Sequence, residues 1–179
     1  MKRMECTLVY LRRADEVCLG EKIKKDSKIG YGKLNGAGGE IEPGETSEQG
    51  MIREAREEFF ITPLVYYSAG KVEFLEFIKG ELTTIIVDIY VCTAWESVPE
   101  PGEEPVYMGE PRASDEMIPS WYDINALPHN RMMKSDQYWL SYVLQGYVID
   151  AFFEIDENGE IVRWKFAAPY NKQRKISIN

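Results

Sequence analysis

The sequence has one histidine, three cysteines and fewer basic than acidic residues, and it has no long apolar run. Each scarcity removes a class of function. A Ser-His or Cys-His nucleophilic mechanism would have to use His129. No nucleophile pattern accompanies that residue, so it is expected to be structural or solvent-facing. Cys6, Cys18 and Cys92 are odd in number, widely spaced and form no metal motif. Reduced, partly buried thiols in a cytoplasmic protein are the expectation. The longest apolar runs, over 6–11 and 84–87, are far too short to cross a bilayer. Met1, Lys2 and Arg3 make a basic start, but no adequate apolar stretch precedes Arg12 and Arg13, so no secretory signal is read. Lys and Arg number 21 against 30 Asp and Glu, a net charge of −9. That balance argues against broad contact with a nucleic-acid backbone. It still admits a phosphorylated small molecule, provided divalent cations sit between the acidic site and the anionic ligand.

A chain of 179 residues suits one domain with a full-sized core. Strand patterns run over 5–11, 17–22, 66–77 and 82–95, the last with Ile85, Val87, Ile89 and Val91 alternating on one side. Lys79-Gly80 reads as a turn joining the third and fourth, and Asn158-Gly159 as a hairpin loop between strands over 147–155 and 160–166. The stretch 97–111, rich in Pro, Glu and Gly, reads as an exposed loop. One helix is expected over 47–59, opened by Thr46 with Gln49 three residues on, a capping-box pattern. A second is expected over 136–144, with Trp139, Leu140, Val143 and Leu144 on its apolar face. Strands dominate without βαβ alternation, which favours an α+β fold. The core spans about 5–166, and a tail over 168–179 carries Lys172, Arg174 and Lys175 as a solubilising end.

The informative stretch is Gly38-Gly39-Glu40-Ile41-Glu42-Pro43-Gly44-Glu45, followed by Arg53-Glu54-Ala55-Arg56-Glu57-Glu58. Glu54, Glu57 and Glu58 fall at i, i+3 and i+4, so one helix face carries three carboxylates. Like charges this close repel, and a bound cation makes the arrangement favourable. Oxygen ligands without His or Cys select Mg²⁺, with Mn²⁺ as a substitute. The plain alternative is a solvated acidic face. The glycines let backbone carbonyls approach a ligand closely, and Arg53 can hold Glu45 in a bidentate pair that fixes the loop to the helix.

These residues resemble the Nudix box, G-x5-E-x7-R-E-U-x-E-E-x-G-U, where U is a bulky aliphatic residue. Gly39, Glu45, Arg53, Glu54, Glu57, Glu58 and Ile61 match it, and Ala55 matches loosely. The resemblance implies a single-domain fold with a mixed β-sheet sandwiched between helices. Phe60 departs, standing where the box has a glycine that ends the helix in a left-handed conformation. Phe disfavours that conformation by about 1–2 kcal/mol, so the helix is expected to end differently.

Further positions are similar to the MutT-like branch, which hydrolyses oxidised purine nucleoside triphosphates. They are Thr7-Leu8-Val9, Leu34 to Gly39, Ser114 to Met117, Trp121 and Tyr138-Trp139. The resemblance implies metal contacts from Gly38, Gly39, Glu54, Glu57, Glu58 and Glu116. It implies a catalytic set of Glu54, Glu57 and Glu116 with Arg53, in which Glu57 or Glu116 deprotonates water. Glu116 precedes a strand and follows a long loop, so a mobile segment could deliver it; the alternative is a surface acid. Asn35 would read a purine edge, since an amide offers both donor and acceptor, or it is a turn residue. Thr7 and Phe74 would line the base pocket, or simply pack the core. Met133, Ser135, Asp136 and Trp139 occupy the base-reading helix start, where the branch has a tryptophan and two aspartates. Here methionine and serine replace the tryptophan and the first aspartate, which implies a weaker selection of oxidised guanine. Ser135 or Asp136 could instead cap the helix.

The implied reaction converts a nucleoside triphosphate to monophosphate and pyrophosphate, with no nucleic-acid polymer or membrane as partner. Product analysis separates it from cleavage of a nucleoside diphosphate linked to a sugar or coenzyme. A nucleotide-sensing module would be expected to lack a box carboxylate, and none is lost.

Overall fold

The computed structural model describes residues 2–25, 30–167 and 177–178. Its centre is β1 (Lys2–Arg13), which runs parallel to β6 (Glu81–Ser97) on one side. On the other side it pairs antiparallel with β2 (Glu16–Lys22) and with β4 (Ala37–Glu40). β3 (Leu34–Asn35) extends the sheet beyond β2, and β5 (Ile61–Ile78), β8 (Ile149–Ile155) and β9 (Ile161–Phe166) extend it beyond β6. β7 (Met117–Asp123) pairs with β2.

Period-two alternation divides the core between two faces. Leu8 and Tyr10 pack with Trp139, Leu140, Val143 and Leu144 of α2 (Asp136–Leu144). Val9 and Leu11 pack with Met51, Ala55 and Phe59 of α1 (Ser47–Phe59). The mixed sheet is therefore sandwiched between helices, an α+β fold, and β1 is apolar on both faces because both are covered. Each fully buried Leu, Ile or Phe contributes about 1.5–3 kcal/mol.

Both helices occupy the expected ranges. Thr46 Oγ1 accepts from the Gln49 N–H at 3.2 Å while Gln49 Oε1 accepts from the Thr46 N–H at 2.9 Å, which completes the capping box. At the other end the expectation fails. Phe60 does adopt the left-handed conformation (φ 52°, ψ 44°), and its N–H donates to the Ala55 carbonyl. The surroundings enforce it: Phe60 O accepts from Val98 N–H at 2.8 Å, Phe59 O from Arg112 N–H at 3.0 Å, and the Arg112 guanidinium lies 5.0 Å from the Phe60 ring centre.

Other boundaries shift for local reasons. β5 begins at Ile61 rather than 66, because register irregularities around Pro63 and Val65 accommodate a proline that cannot donate to the ladder. Lys79 and Gly80, both at positive φ, form the tight hairpin loop. The 97–111 stretch is the expected exposed loop, and it packs back along its own strand. Met108 N–H donates to Trp95 O and Val106 N–H to Ser97 Oγ, folding it back on β6. Gly70, at φ +100°, lies where β8 crosses so closely that a Cβ would sit 1.9 Å from Ile149 O. Lys172, Arg174 and Lys175 of the expected tail lie outside the described residues, but Ser177–Ile178 forms β10 and pairs with β5. Cys18 and Cys92 are buried free thiols, and burial pushes both up to about 12. His129 is exposed in a short 3₁₀ turn. No helix among the described residues is long and apolar enough to cross a membrane.

Candidate active site

The loop before α1 is organised by Arg53. Its Nε and Nη2 donate to Glu45 Oε1 and Oε2 at 2.8 and 3.1 Å, the bidentate pair expected, and Nη2 also reaches Glu40 O at 3.1 Å. Its Nη1 donates to Glu54 Oε1 at 2.8 Å and Glu57 Oε2 at 3.2 Å. One guanidinium thus ties together the loop and two acids of the helix face. Its hydrogen bonds with Glu45 hold that carboxyl below the usual range and raise the Arg53 pKa.

The carboxylates differ sharply in exposure. Glu58 is buried, with Oε2 accepting from Gly38 N–H at 2.8 Å and Oε1 lying 3.7 Å from Lys22 Nζ. Burial pushes its carboxyl up to about 7, against the lowering effects of Lys22 and the Gly38 N–H. Burial also raises Glu54. Glu57 lies at the rim with a 60% exposed side chain. Glu116 pairs with Lys24 and is close enough to Glu58 to repel it. Ser114 Oγ accepts from the Glu116 and Met117 amides, and Glu116 O accepts from Ile23 N–H at 2.8 Å.

The residues fit a divalent cation. The donor set is hard oxygen, and Gly39 leaves open beside Glu54 a space where a Cβ would sit 2.4 Å from Oε1. Among the described residues no three acidic side chains already converge on one point. Lys22, Lys24 and Arg53 lie against the acids instead.

Beside this cluster lies a cavity of about 150 Å³. Thr7, Asn35, Phe74, Met133, Ser135, Asp136 and Trp139 all border it, as do Gly38, Gly39 and Lys22. Residues of β1, β2, β3, β4, β5 and α2 are thus brought together. Asn35 Oδ1 accepts from Tyr10 O–H and Gly36 N–H, both at 2.9 Å. The acceptor half of the amide is therefore used within the protein, and only Nδ2 remains as a donor. Neither Ser135 nor Asp136 caps α2. Ser135 is helical in backbone with no side-chain cap bond, and its hydroxyl meets Asp136 Oδ1 at 3.3 Å. Asp136 Oδ2 accepts from the Met133 amide in the preceding turn, and burial pushes this carboxyl up to about 7. Thr7 Oγ1 and Trp139 Nε1 are buried without a hydrogen-bond partner among the described residues. The Thr7 methyl group points toward Gly50 of α1, which favours packing over base contact for that side chain.

The NUDIX domain family model matches residues 2–143. The chain belongs to the Nudix family. An oxidized purine nucleoside triphosphate hydrolase of Danio rerio is 35% identical over 159 residues, covering 89% of this chain and 91% of the relative. An 8-oxo-dGTP diphosphatase of Escherichia coli is 31% identical over 108 residues, covering 58% of this chain and 80% of the relative. A solved MutT protein from Bacillus halodurans shares the fold, with a TM-score of 0.71 at 19% identity over 91% of this chain and 97% of its own. Nudix hydrolases generally need a divalent metal, in keeping with the carboxylate cluster.

Three residues of this Nudix site escape the sequence reading. Lys22 ends a strand and carries no motif. Tyr10 is hidden in an apolar run, although alternation with Leu8 marks it as facing α2. Glu76 borders the cavity, and its spacing from Val72 and Phe74 was the signal that an acid faces inward.

Proposed function

We propose that this Nudix hydrolase is a nucleoside triphosphate pyrophosphohydrolase acting on purine nucleotides, oxidised ones included. The observation that carries the reading is continuity. Gly38, Gly39 and Lys22 border the cavity that holds Asn35, Asp136 and Trp139, and they also touch Glu58 or Glu54. A nucleotide with its base in the cavity directs its phosphates toward the acidic helix face. The substrates named for the Danio rerio and Escherichia coli relatives are of this class.

Glu54, Glu57, Glu58 and Glu116, with the backbone of Gly38 and Gly39, would hold Mg²⁺, or Mn²⁺ in its place. When bound, the cation neutralises phosphate charge and activates water. Arg53 keeps Glu54 and Glu57 in place and locks the loop through Glu45. Glu57 or Glu116 takes the proton from the attacking water, and Glu57 is the more accessible of the two. Water adds across the phosphoanhydride, giving monophosphate and pyrophosphate. Asn35 donates to the base, while Ser135, shorter than a carboxylate, makes a weaker contact. Selection of 8-oxo-dGTP over dGTP is accordingly modest. The protein works in the cytoplasm on small molecules.

The test is incubation of dGTP, 8-oxo-dGTP and ATP with Mg²⁺ and separate assays of pyrophosphate and phosphate. Monophosphate plus pyrophosphate is expected. Exclusive phosphate release, or activity confined to nucleoside diphosphates linked to another group, overturns the reading.

A further inference from the structure

Two carboxyl groups border the cavity, and they are treated differently by the fold. Asp136 is held by Met133 and Ser135. Glu76 has neither hydrogen bond nor ion pair among the described residues, and burial alone pushes its carboxyl up. Alternation along β5 places Glu76 on the cavity side after Val72 and Phe74, opposite Thr83, Ile85 and Val87 of β6. An aliphatic residue there would extend the apolar floor. A half-buried acid without a partner instead costs stability, a cost offset when a ligand donates hydrogen bonds to it.

The opposite wall has the complementary polarity. Asn35 on β3 and Glu76 on β5 lie on either side of β1 and β6. Asn35 presents only Nδ2, and buried Trp139 Nε1 is a second donor without an acceptor. The cavity therefore offers the Asn35 and Trp139 donors and, across the sheet from Asn35, the Glu76 acceptor, besides the Asp136 carboxyl already held by Met133 and Ser135. A 2-amino-6-oxopurine matches both, with its carbonyl toward the donors and its ring N–H and amino group toward the acceptor. A 6-aminopurine presents an amino group in place of the carbonyl and a bare ring nitrogen in place of the N–H.

We propose that Glu76 is a specificity-determining residue, whose carboxylate accepts hydrogen bonds from the N–H edge of a 2-amino-6-oxopurine and so selects it over 6-aminopurines. The assignment rests on the purine-nucleotide reading of the cavity. A charge-assisted contact of this kind changes relative affinity by about tenfold or more. Nothing else near Glu76 needs its charge, so its replacement leaves the carboxylate cluster of α1 untouched.

The experiment compares the wild-type chain with Glu76→Gln and Glu76→Leu by three measurements: kcat/KM for GTP and ATP, binding of the phosphate-free nucleosides guanosine and adenosine by NMR titration, and Tm without ligand. Both variants should lower the guanine-to-adenine ratio about tenfold in turnover and in binding, and Glu76→Leu should raise Tm. An unchanged ratio in both assays overturns the proposal, as does a fall in Tm with all nucleotides weakened equally, which makes Glu76 structural. If no triphosphate is hydrolysed but nucleoside selectivity falls in the variants, the functional reading fails while the role of Glu76 stands. If hydrolysis proceeds with unaltered base preference, the reverse holds.

Discussion

The Tyr10 hydroxyl donates to Asn35 Oδ1 at 2.9 Å, and this bond joins two strands beside the cavity. Gly36 N–H donates to the same oxygen, so a reversed amide would set donor against donor. Tyr10 is fully buried and packs edge-on against Trp139, with ring centres 6.1 Å apart. It therefore braces two residues that line the cavity without bordering the cavity itself. Tyr10→Phe removes one neutral hydrogen bond, worth about 1 kcal/mol. The expected result is a rise of roughly fivefold in KM for purine triphosphates with kcat nearly unchanged, because the carboxylate cluster lies elsewhere. A fall in kcat at constant KM would contradict this division of labour.

Phe60 allows a second test. A left-handed backbone disfavours any residue with a Cβ, and here the ring also meets the Arg112 guanidinium. Phe60→Ala discards the ring contact and keeps the strain, whereas Phe60→Gly discards both. The glycine variant should be more stable than the alanine variant by about 1 kcal/mol, or roughly 2–4 °C in Tm for a chain of this size. Equal stabilities would mean that the helix end relaxes out of the left-handed conformation once the ring is gone.

The unequal legibility of fold and site follows from which forces are local. Thr46 with Gln49, and the helical spacing from Trp139 to Leu144, carry their own start signals and periodicity, so both helices fall where the sequence places them. β3 and β4 are two and four residues long and exist because β2 and β1 pair with them. No propensity in Leu34-Asn35 or Ala37–Glu40 announces that. The carboxylate face was legible because i, i+3 and i+4 spacing is a property of one helix. The halves of the Asn35 amide were not distinguishable, because Tyr10 lies 25 positions away and Gly36 turns its N–H inward only in the folded chain. The Phe60 expectation failed for the converse reason. Intrinsic preference argued against a left-handed cap, and the amides of Val98 and Arg112 outweigh it.

Asp136 links the cavity to pH. Its carboxyl sits at about 7 in the folded protein against an ordinary value of 3.8, and burial is the largest cause. Below about pH 4 the group is neutral in both states and costs nothing. As pH rises toward 7 the unfolded chain ionises first, so stability falls by up to about 1.4 kcal/mol per pH unit before levelling off. Asp136→Asn removes this component. Thermal unfolding of both proteins between pH 4 and 8 should show the variant gaining on the wild type across that window and holding a constant lead above it. A constant difference throughout would show that Asp136 is ionised in the folded state.

The final prediction concerns the acids of α1. Glu57 is 60% exposed and, among the described residues, bonded only to Arg53, so Glu57→Gln should leave Tm in EDTA nearly unaltered. Its charge nevertheless faces the same helix side as partly buried Glu54 and buried Glu58, both of which burial disfavours as anions. A cation that binds only the folded chain stabilises it by mass action, about 2.7 kcal/mol at a concentration of 100 Kd. Millimolar Mg²⁺ should therefore raise the wild-type Tm, and EDTA should abolish both that gain and hydrolysis. Turnover in the variant should fall at least about 100-fold, whether Glu57 is a metal ligand or the base. The two roles separate in the melting curves, since loss of a ligand diminishes the Mg²⁺ response and loss of a base leaves it intact. Near-normal turnover with an unaltered Mg²⁺ response would return Glu57 to the solvated surface of the helix and leave Glu116 as the residue that accepts the proton.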